Sequence, residues 1–83
     1  MTRDDIRERL AAIIRKETSY RGAVSDDMLL VEDIGADSLQ LMSIVTAAET
    51  SFGVTISDEA LFEIERVGDA VDCVADWLAV SAA

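Results

Sequence analysis

The chain of 83 residues is poor in the residues on which several kinds of catalysis depend. It has no histidine, and this absence excludes nucleophilic catalysis by a serine–histidine pair. It has one cysteine, Cys73, so no internal disulfide can form, and we expect this thiol to pack as a small apolar group. No two carboxylates are marked as an acid/base pair in a cleft. These absences predict a protein that is not an enzyme and has no catalytic residue.

Proline is absent, glycine occurs four times, and no uncharged apolar run approaches the roughly 18 residues that span a bilayer. The first five residues carry two acids, whereas a signal peptide would begin with basic residues followed by an apolar stretch. We therefore expect one small domain over residues 1–83, cytoplasmic, monomeric and without a membrane partner. A chain of this length can bury a modest core but leaves little room for a deep catalytic cleft.

Basic residues are scarce after the first quarter of the chain, although the net charge is −10 overall. Thirteen acids follow residue 21, with Arg66 as the single base among them. Such a charge repels nucleic acid and attracts basic protein surfaces, or it serves solubility alone. A calcium loop starting at Asp33 would need glycine sixth and glutamate twelfth, but those places hold Ser38 and Ile44. We therefore predict no metal site.

What the chain does contain is apolar residues at helical spacing. The pattern predicts an all-α domain of four helices with a long loop between the first two and a short third helix. The predicted spans are Arg3 to Lys16, Ser38 to Ser51, 57 to 63, and Val67 or Gly68 to Val80.

The sequence also predicts the conformation of the segments outside the helices. We expect residues 54–56 to form an extended link, because no partner strand is available for them, and residues 81–83 to fray. The long loop from Glu17 to Ala36 is too long to be structureless in a compact domain unless it is functional. Its apolar residues should anchor it to the core, while its acids stay in water. The expected anchors are Leu29, Leu30 and Ile34, and the expected solvated acids are Asp26, Asp27, Glu32 and Asp33.

The end of this loop has the strongest local pattern in the sequence. Gly35 suits a sharp turn, and Asp37 is a favoured N-cap whose own N–H can be reached by Gln40 three residues later. Ser38 should then stand at the tip of the second helix with its hydroxyl outward, at the positive end of the helix dipole. Two interpretations compete: Ser38 only supports the cap, or its hydroxyl carries a covalent phosphate-linked group.

The second helix should have two distinct faces. Its core face is Leu41, Ile44, Val45, Ala48 and Phe52. Its outer face is Leu39, Met42, Ser43, Thr46, Glu49 and Thr50. Single exposed apolar residues are ordinary, but two of them, Leu39 and Met42, stand within a turn of Ser38 and favour a docking surface.

Residues 31–39, with the sequence VEDIGADSL, resemble the modification site of acyl carrier proteins. Further matches follow in register at Glu49, at FGVTI in residues 52–56 and at Asp58-Glu59, so the resemblance covers about residues 3 to 80. It implies a four-helix bundle of acyl-carrier type. It also implies that Ser38 bears 4′-phosphopantetheine. A phosphopantetheinyl transferase would attach this arm from coenzyme A with the help of magnesium, and the arm's thiol would hold an acyl group as a thioester.

The resemblance further implies partners that dock on the second helix, namely an acyltransferase, ketosynthase or acyl-activating ligase of the pathway. The candidate partner-binding residues are Asp37, Leu39, Met42, Thr46 and Glu49. A different class of function stays open, a helical adaptor that keeps the fold and uses the second helix only to bind proteins. Such an adaptor would keep its function when Ser38 is replaced by alanine.

The cargo is less defined by the resemblance than the carrier role is. The triplet Gly35-Ala36-Asp37 is closer to acyl carriers than to aminoacyl or peptidyl carriers. Many fatty-acid carriers place acids on the second helix where this chain has uncharged residues. These positions are Gln40, Ser43, Thr50, Ser51 and Gly53. We therefore expect a discrete carrier in polyketide or other specialised biosynthesis, with general fatty-acid synthesis as the alternative.

Overall fold

The computed structural model describes residues 1–82, with side chains through residue 79, and contains four α-helices. They are α1 (Arg3–Glu17), α2 (Ser38–Phe52), α3 (Asp58–Glu63) and α4 (Val67–Ala82). The described residues form no strand, and residues 54–56 are an extended link, as predicted. The all-α architecture, the long first loop and the short third helix are confirmed. None of the helices in residues 1–82 has the length and apolar character needed to cross a membrane.

The helix ends follow from short-range capping. The Thr2 hydroxyl accepts from the N–H of Asp5, and the Asp5 carboxylate accepts from the N–H of Thr2, so a capping box starts α1. At the other end of the chain, α4 runs to Ala82, two residues past the predicted end at Val80. Residues 81 and 82 continue the helix, and their fraying stays a prediction. Ala83 lies outside the described residues.

The core lies between α1, α2 and α4, and the loop before α2 closes it. Each of these helices contributes buried side chains at spacings of three or four residues. They are Ile6, Leu10 and Ile14 from α1, Ile44, Ala48 and Phe52 from α2, and Val67, Val71 and Val74 from α4. The short helix α3 contributes no buried residue.

The loop is fastened to the segment that joins α3 to α4. The N–H of Leu30 donates to the Glu65 carbonyl oxygen at 3.0 Å, and the N–H of Val67 donates to that of Met28 at 2.9 Å. We call this pairing of residues 26–30 with residues 65–68 the seam. Leu30 is buried, as are the other predicted anchor Ile34 and, beyond the prediction, Ala36. Leu29, the remaining predicted anchor, is only half-buried.

Asp26 differs from its expected place in water, because two arginines of α1 bind it. Its Oδ2 lies 2.6 Å from the Nη1 of Arg3, and its Oδ1 lies 3.3 Å from the Nη1 of Arg7. The hydrogen bond from Arg3 is the main reason that the pKa of the Asp26 carboxyl lies below its ordinary range. Its backbone oxygen also accepts from the N–H of Gly68 at 2.9 Å. Asp26 therefore ties α1 to the seam.

Candidate functional site

The start of α2 has the geometry that its sequence predicts. Gly35 has a φ of 83°, a left-handed conformation that glycine adopts without strain. The Asp37 Oδ1 accepts from the N–H of Gln40 at 2.8 Å, and the Gln40 Oε1 accepts from the N–H of Asp37 at 3.1 Å. Both halves of the predicted capping box are thus present. They fix the position at which the helix begins.

Ser38 is the first residue of α2 and is exposed. Within residues 1–82, the N–H groups of Ser38 and Leu39 donate to no protein acceptor, since the Asp37 carboxylate accepts from Gln40 and the Asp37 carbonyl accepts from Leu41. The residue that carries the hydroxyl therefore stands at the positive end of a 15-residue helix, where two backbone donors are free. A phosphodiester on the Ser38 Oγ would bring its negative charge to these groups, so the residues present fit a phosphate-linked cofactor.

An apolar cavity of about 350 Å³ opens beside Ser38 and extends between α2 and α3 toward the core. Ser38 is its only polar lining residue. Its walls include Leu41, Met42, Val45, Ile56, Leu61, Phe62, Ile64, Ala70 and Val74. A cavity with so little polar lining holds hydrocarbon better than water. The sequence placed Leu41 and Val45 in the core, whereas they are half-buried along the wall of this cavity.

The helix α3 covers one side of this cavity and is held mainly at its ends. Its first turn is capped by Ser57, whose hydroxyl accepts from the N–H of Ala60. Phe62 is the last but one residue of α3, and 85% of its surface is exposed. Sequence reasoning found the inward side of the helix but did not single out Phe62. The available signal was its position, since it falls outside the apolar side formed by Ala60, Leu61 and Ile64.

The outer face of α2 is mostly uncharged. Leu39 is 80% exposed and Met42 is 50% exposed, and both line a shallow groove between α1 and α2 together with Thr46. Glu49, predicted on the same face, is half-buried, and its carboxylate accepts from the N–H of Ile56. The Asp37 carboxylate is exposed but serves the cap. Of the five predicted partner-binding residues, Leu39, Met42 and Thr46 therefore have side chains without a hydrogen bond to the described residues. The other two, Asp37 and Glu49, accept hydrogen bonds from the backbone.

Two other candidate chemistries find no support in the described part of the chain. The Cys73 thiol is half-buried, and burial together with the nearby Asp76 carboxylate raises its pKa, so the reactive thiolate is disfavoured. Residues 1–82 contain no group of three or more histidine, cysteine or acidic side chains placed to hold a metal ion.

The fold and site define a class of protein: a small helical domain that presents one hydroxyl at a free helix N-terminus beside an apolar cavity. Comparison with known families agrees, since the profile of the phosphopantetheine attachment site matches residues 8–74. An acyl carrier protein of Tropheryma whipplei is 37% identical over 75 residues, which cover 89% of this chain and 92% of that protein. An acyl carrier protein of an Arthrobacter species is 40% identical over 74 residues, covering 88% and 91%.

Solved structures give the same result. An acyl carrier protein from Enterococcus faecalis superposes with a TM-score of 0.76 at 36% identity, covering 93% of this chain and 99% of that one. A structure from Mycobacterium tuberculosis, described as an acyl carrier protein, gives a TM-score of 0.83 at 32% identity, covering 87% and 97%. The chain belongs to the acyl carrier protein family. Members of this family carry a covalent 4′-phosphopantetheine and are carriers rather than catalysts.

Proposed function

We propose that Ser38 is the attachment site of 4′-phosphopantetheine and that residues 1–83 act as one carrier domain for a thioester-bound acyl group. The observation that carries this proposal is the exposed Ser38 hydroxyl beside two free N–H groups at the start of α2. These donors and the helix dipole stabilise the charge of the phosphodiester. A phosphopantetheinyl transferase attaches the arm from coenzyme A, and the flexible arm then carries the acyl group between enzymes.

The cavity supports a cargo with an aliphatic chain. Because Ser38 is its only polar lining residue, a carbonyl or amide placed deep inside would lose its hydrogen bonds to water. A hydrocarbon chain loses nothing polar and gains apolar contacts along Leu41, Val45 and Ile64. We therefore favour an acyl cargo with an aliphatic segment, rather than an aminoacyl or peptidyl cargo.

Partner docking relies more on apolar contact than on charge at α2. The exposed apolar side chains of Leu39 and Met42 flank the attachment point, and Thr46 continues the same face. The one acid within α2, Glu49, is engaged by the link before α3. This composition suits a dedicated pathway, polyketide or other specialised acyl assembly, with its own acyltransferase, ketosynthase or acyl-activating ligase. It suits less well a general fatty-acid carrier with many basic partners.

Intact mass measures the attachment directly. The chain is incubated with coenzyme A, magnesium and a phosphopantetheinyl transferase of broad substrate range. We expect a mass gain of one phosphopantetheine group for the wild type and for Ser43→Ala, an exposed serine on the same helix, and none for Ser38→Ala. The absence of a gain in the wild type, or a gain that persists in Ser38→Ala, contradicts the proposal. A helical adaptor that needs no arm would keep its binding function in Ser38→Ala.

The emphasis on apolar docking has its own test. Acyl transfer to the loaded chain is measured for Met42→Ala, Leu39→Ala and Glu49→Ala, with Thr50→Ala as the control on the same helix. We expect the two apolar truncations to reduce kcat/KM about tenfold, in the range of interface residues that matter. A normal rate in Met42→Ala combined with a complete loss in Glu49→Ala would show that docking depends on charge rather than on apolar contact.

A further inference from the structure

A groove of about 620 Å³ lies between α3 and α4. We call it the α3–α4 groove. Its lining combines apolar side chains, among them Trp77 of α4, with four acids, and it includes no lysine or arginine of the described residues. It shares only Ile64 with the lining of the cavity beside Ser38, so the two open on different parts of the surface.

Trp77 is the largest side chain that lines the groove and the one tryptophan of the chain. It is not part of the hydrophobic core, and 37% of its surface is exposed. The rest of the ring is covered, so the side chain is held in place and loses little freedom when a ligand packs on its open part. The face of an indole ring attracts cations more strongly than that of any other side chain.

Two of the four acids are used by the fold and two are available. The Asp69 carboxylate accepts from two backbone N–H groups just before α4, and the Asp72 Oδ1 accepts from the Nε of Arg3 at 3.0 Å. Glu63 and Asp76 are exposed, and neither forms an ion pair within residues 1–82. The groove therefore offers an aromatic surface and two carboxylates that a cationic ligand can use.

The chemistry of the groove selects a guanidinium group among cations. The planar guanidinium stacks on an aromatic face and donates to carboxylates at its edge, whereas an ammonium is a compact and strongly hydrated charge. Residues 1–82 contain no group of acids placed to hold a metal ion. Burial raises the pKa of the Cys73 thiol, so this lining residue does not supply a covalent alternative.

We propose that the α3–α4 groove is a second docking site, which receives an arginine side chain of a partner protein on Trp77, between Glu63 and Asp76. This inference goes beyond the proposed function, since it requires no arm on Ser38. The net charge of −10 draws a basic surface toward the chain, and the groove supplies the specific contact. A protein bound there leaves the opening beside Ser38 free. The contact therefore keeps the chain near one protein while the Ser38 side of the domain serves another.

The test follows the NMR signals of the isotope-labelled chain while a short capped peptide of alternating glycine and arginine is added at low ionic strength. The indole N–H signal of Trp77 reports on the groove directly, because the chain has one tryptophan. The matched probe is the same peptide with lysine in place of arginine. The groove variant is Glu63→Gln with Asp76→Asn. The control variant, Glu8→Gln with Glu32→Gln, removes the same charge at two exposed acids outside the groove.

We expect the shifted signals to cluster in residues 60–64 and 69–77. The arginine peptide should bind about threefold more tightly than the lysine peptide, because stacking on the indole adds to ion pairing. The groove variant should raise Kd about fivefold, and Trp77→Leu, followed by its backbone signals, should do the same. The control variant should stay within about twofold of the wild type. Ser38→Ala should bind the peptide as the wild type does.

Three results would overturn the proposal. The first is a set of shifts spread evenly over the acidic surface, with equal losses in the groove and control variants. The second is equal binding of the arginine and lysine peptides. The third is a Trp77 signal that moves when the chain alone is concentrated and stays fixed in the groove variant, which would assign the groove to a second copy. Failure of Ser38 to accept the arm would overturn the proposed function and leave this inference intact.

Discussion

The Glu49 carboxylate points along α2 toward the link before α3, with its Oε2 2.9 Å from the backbone nitrogen of Ile56. The only acid within α2 is therefore used to hold the segment that positions α3. This relationship explains how a residue on the predicted outer face of the helix becomes half-buried. A substitution of Glu49 can therefore lower fold stability as well as partner docking, and the two effects must be measured separately.

Replacing Glu49 with alanine should lower the free energy of unfolding by about 1–2 kcal/mol, because the half-buried N–H of Ile56 loses a charged acceptor. Glu49→Gln should lose less, since its amide oxygen can still accept. Urea titration followed by circular dichroism measures both variants. Thr50→Ala, the exposed neighbour on α2, is the control and should stay within about 0.5 kcal/mol. Equal stability of Glu49→Ala and Thr50→Ala would show that the hydrogen bond contributes nothing.

The ion pairs of Asp26 predict a dependence of stability on pH. Its pKa in the folded chain lies below the ordinary value of 3.8, chiefly because Arg3 donates to it. The stabilisation is therefore fully present above that ordinary value and is lost as the pH falls through the lower folded value. Wild type should be more stable than Asp26→Asn at pH 7, and the difference should shrink below about pH 4.

Urea titrations from pH 7 to pH 3 give this comparison. Asp27→Asn is the matched control, since Asp27 is the exposed neighbour and forms no ion pair within residues 1–82. A gap between wild type and Asp26→Asn that stays constant over the whole pH range would refute the ion-pair assignment.

The end of α2 depends on the backbone conformation of Gly53, whose φ is 67°. A Cβ built there meets nothing within 4 Å, so the cost of a side chain is conformational and not steric. Gly53→Ala should therefore cost about 1–2 kcal/mol, and Gly53→Asn less, because asparagine tolerates the left-handed region. For a domain of this size, 1 kcal/mol lowers Tm by about 4–8 °C. Identical Tm values for the two variants would mean that the left-handed turn is not what limits them.

We expect the small side chain of Ala70 to leave room in the cavity for the acyl chain, which would protect the thioester from water. Ala70 lines the cavity from α4, and a leucine there would occupy part of the 350 Å³. We expect Ala70→Leu to leave the fold intact and to speed alkaline hydrolysis of an octanoyl thioester on the arm several-fold, because the chain can no longer withdraw from water. Ala12→Leu, at an exposed position of α1, is the control. Hydrolysis at the wild-type rate in Ala70→Leu would mean that the chain does not enter this cavity.

The features that the sequence predicts correctly are decided by neighbours along the chain. The turn at Gly35 and the cap at Asp37 need only the next few residues. The helix count follows from apolar periodicity for the same reason, and the family pattern around Ser38 is equally local.

The features that it misses are decided by contacts between distant segments. Asp26 looks solvated in the sequence because its arginine partner Arg3 is 23 positions away. Glu49 looks free because its acceptor role arises only when the link folds back against α2. The cavity is an empty volume, and no residue pattern specifies how completely half-buried side chains such as Val45 fill the space around them.

Hydrogen bonds just before and just after α3 limit how that helix can move. At one end the Glu49 carboxylate holds Ile56, and at the other the Leu30 N–H binds the Glu65 carbonyl while the Arg66 guanidinium reaches the Asp27 carbonyl at 2.6 Å. Between these points nothing is buried. Because hydrogen bonds hold both ends of α3, displacing the whole helix would require breaking at least one of them. If an acyl chain enters the cavity, we therefore expect α3 to yield without either tether breaking, so that entry requires no local unfolding.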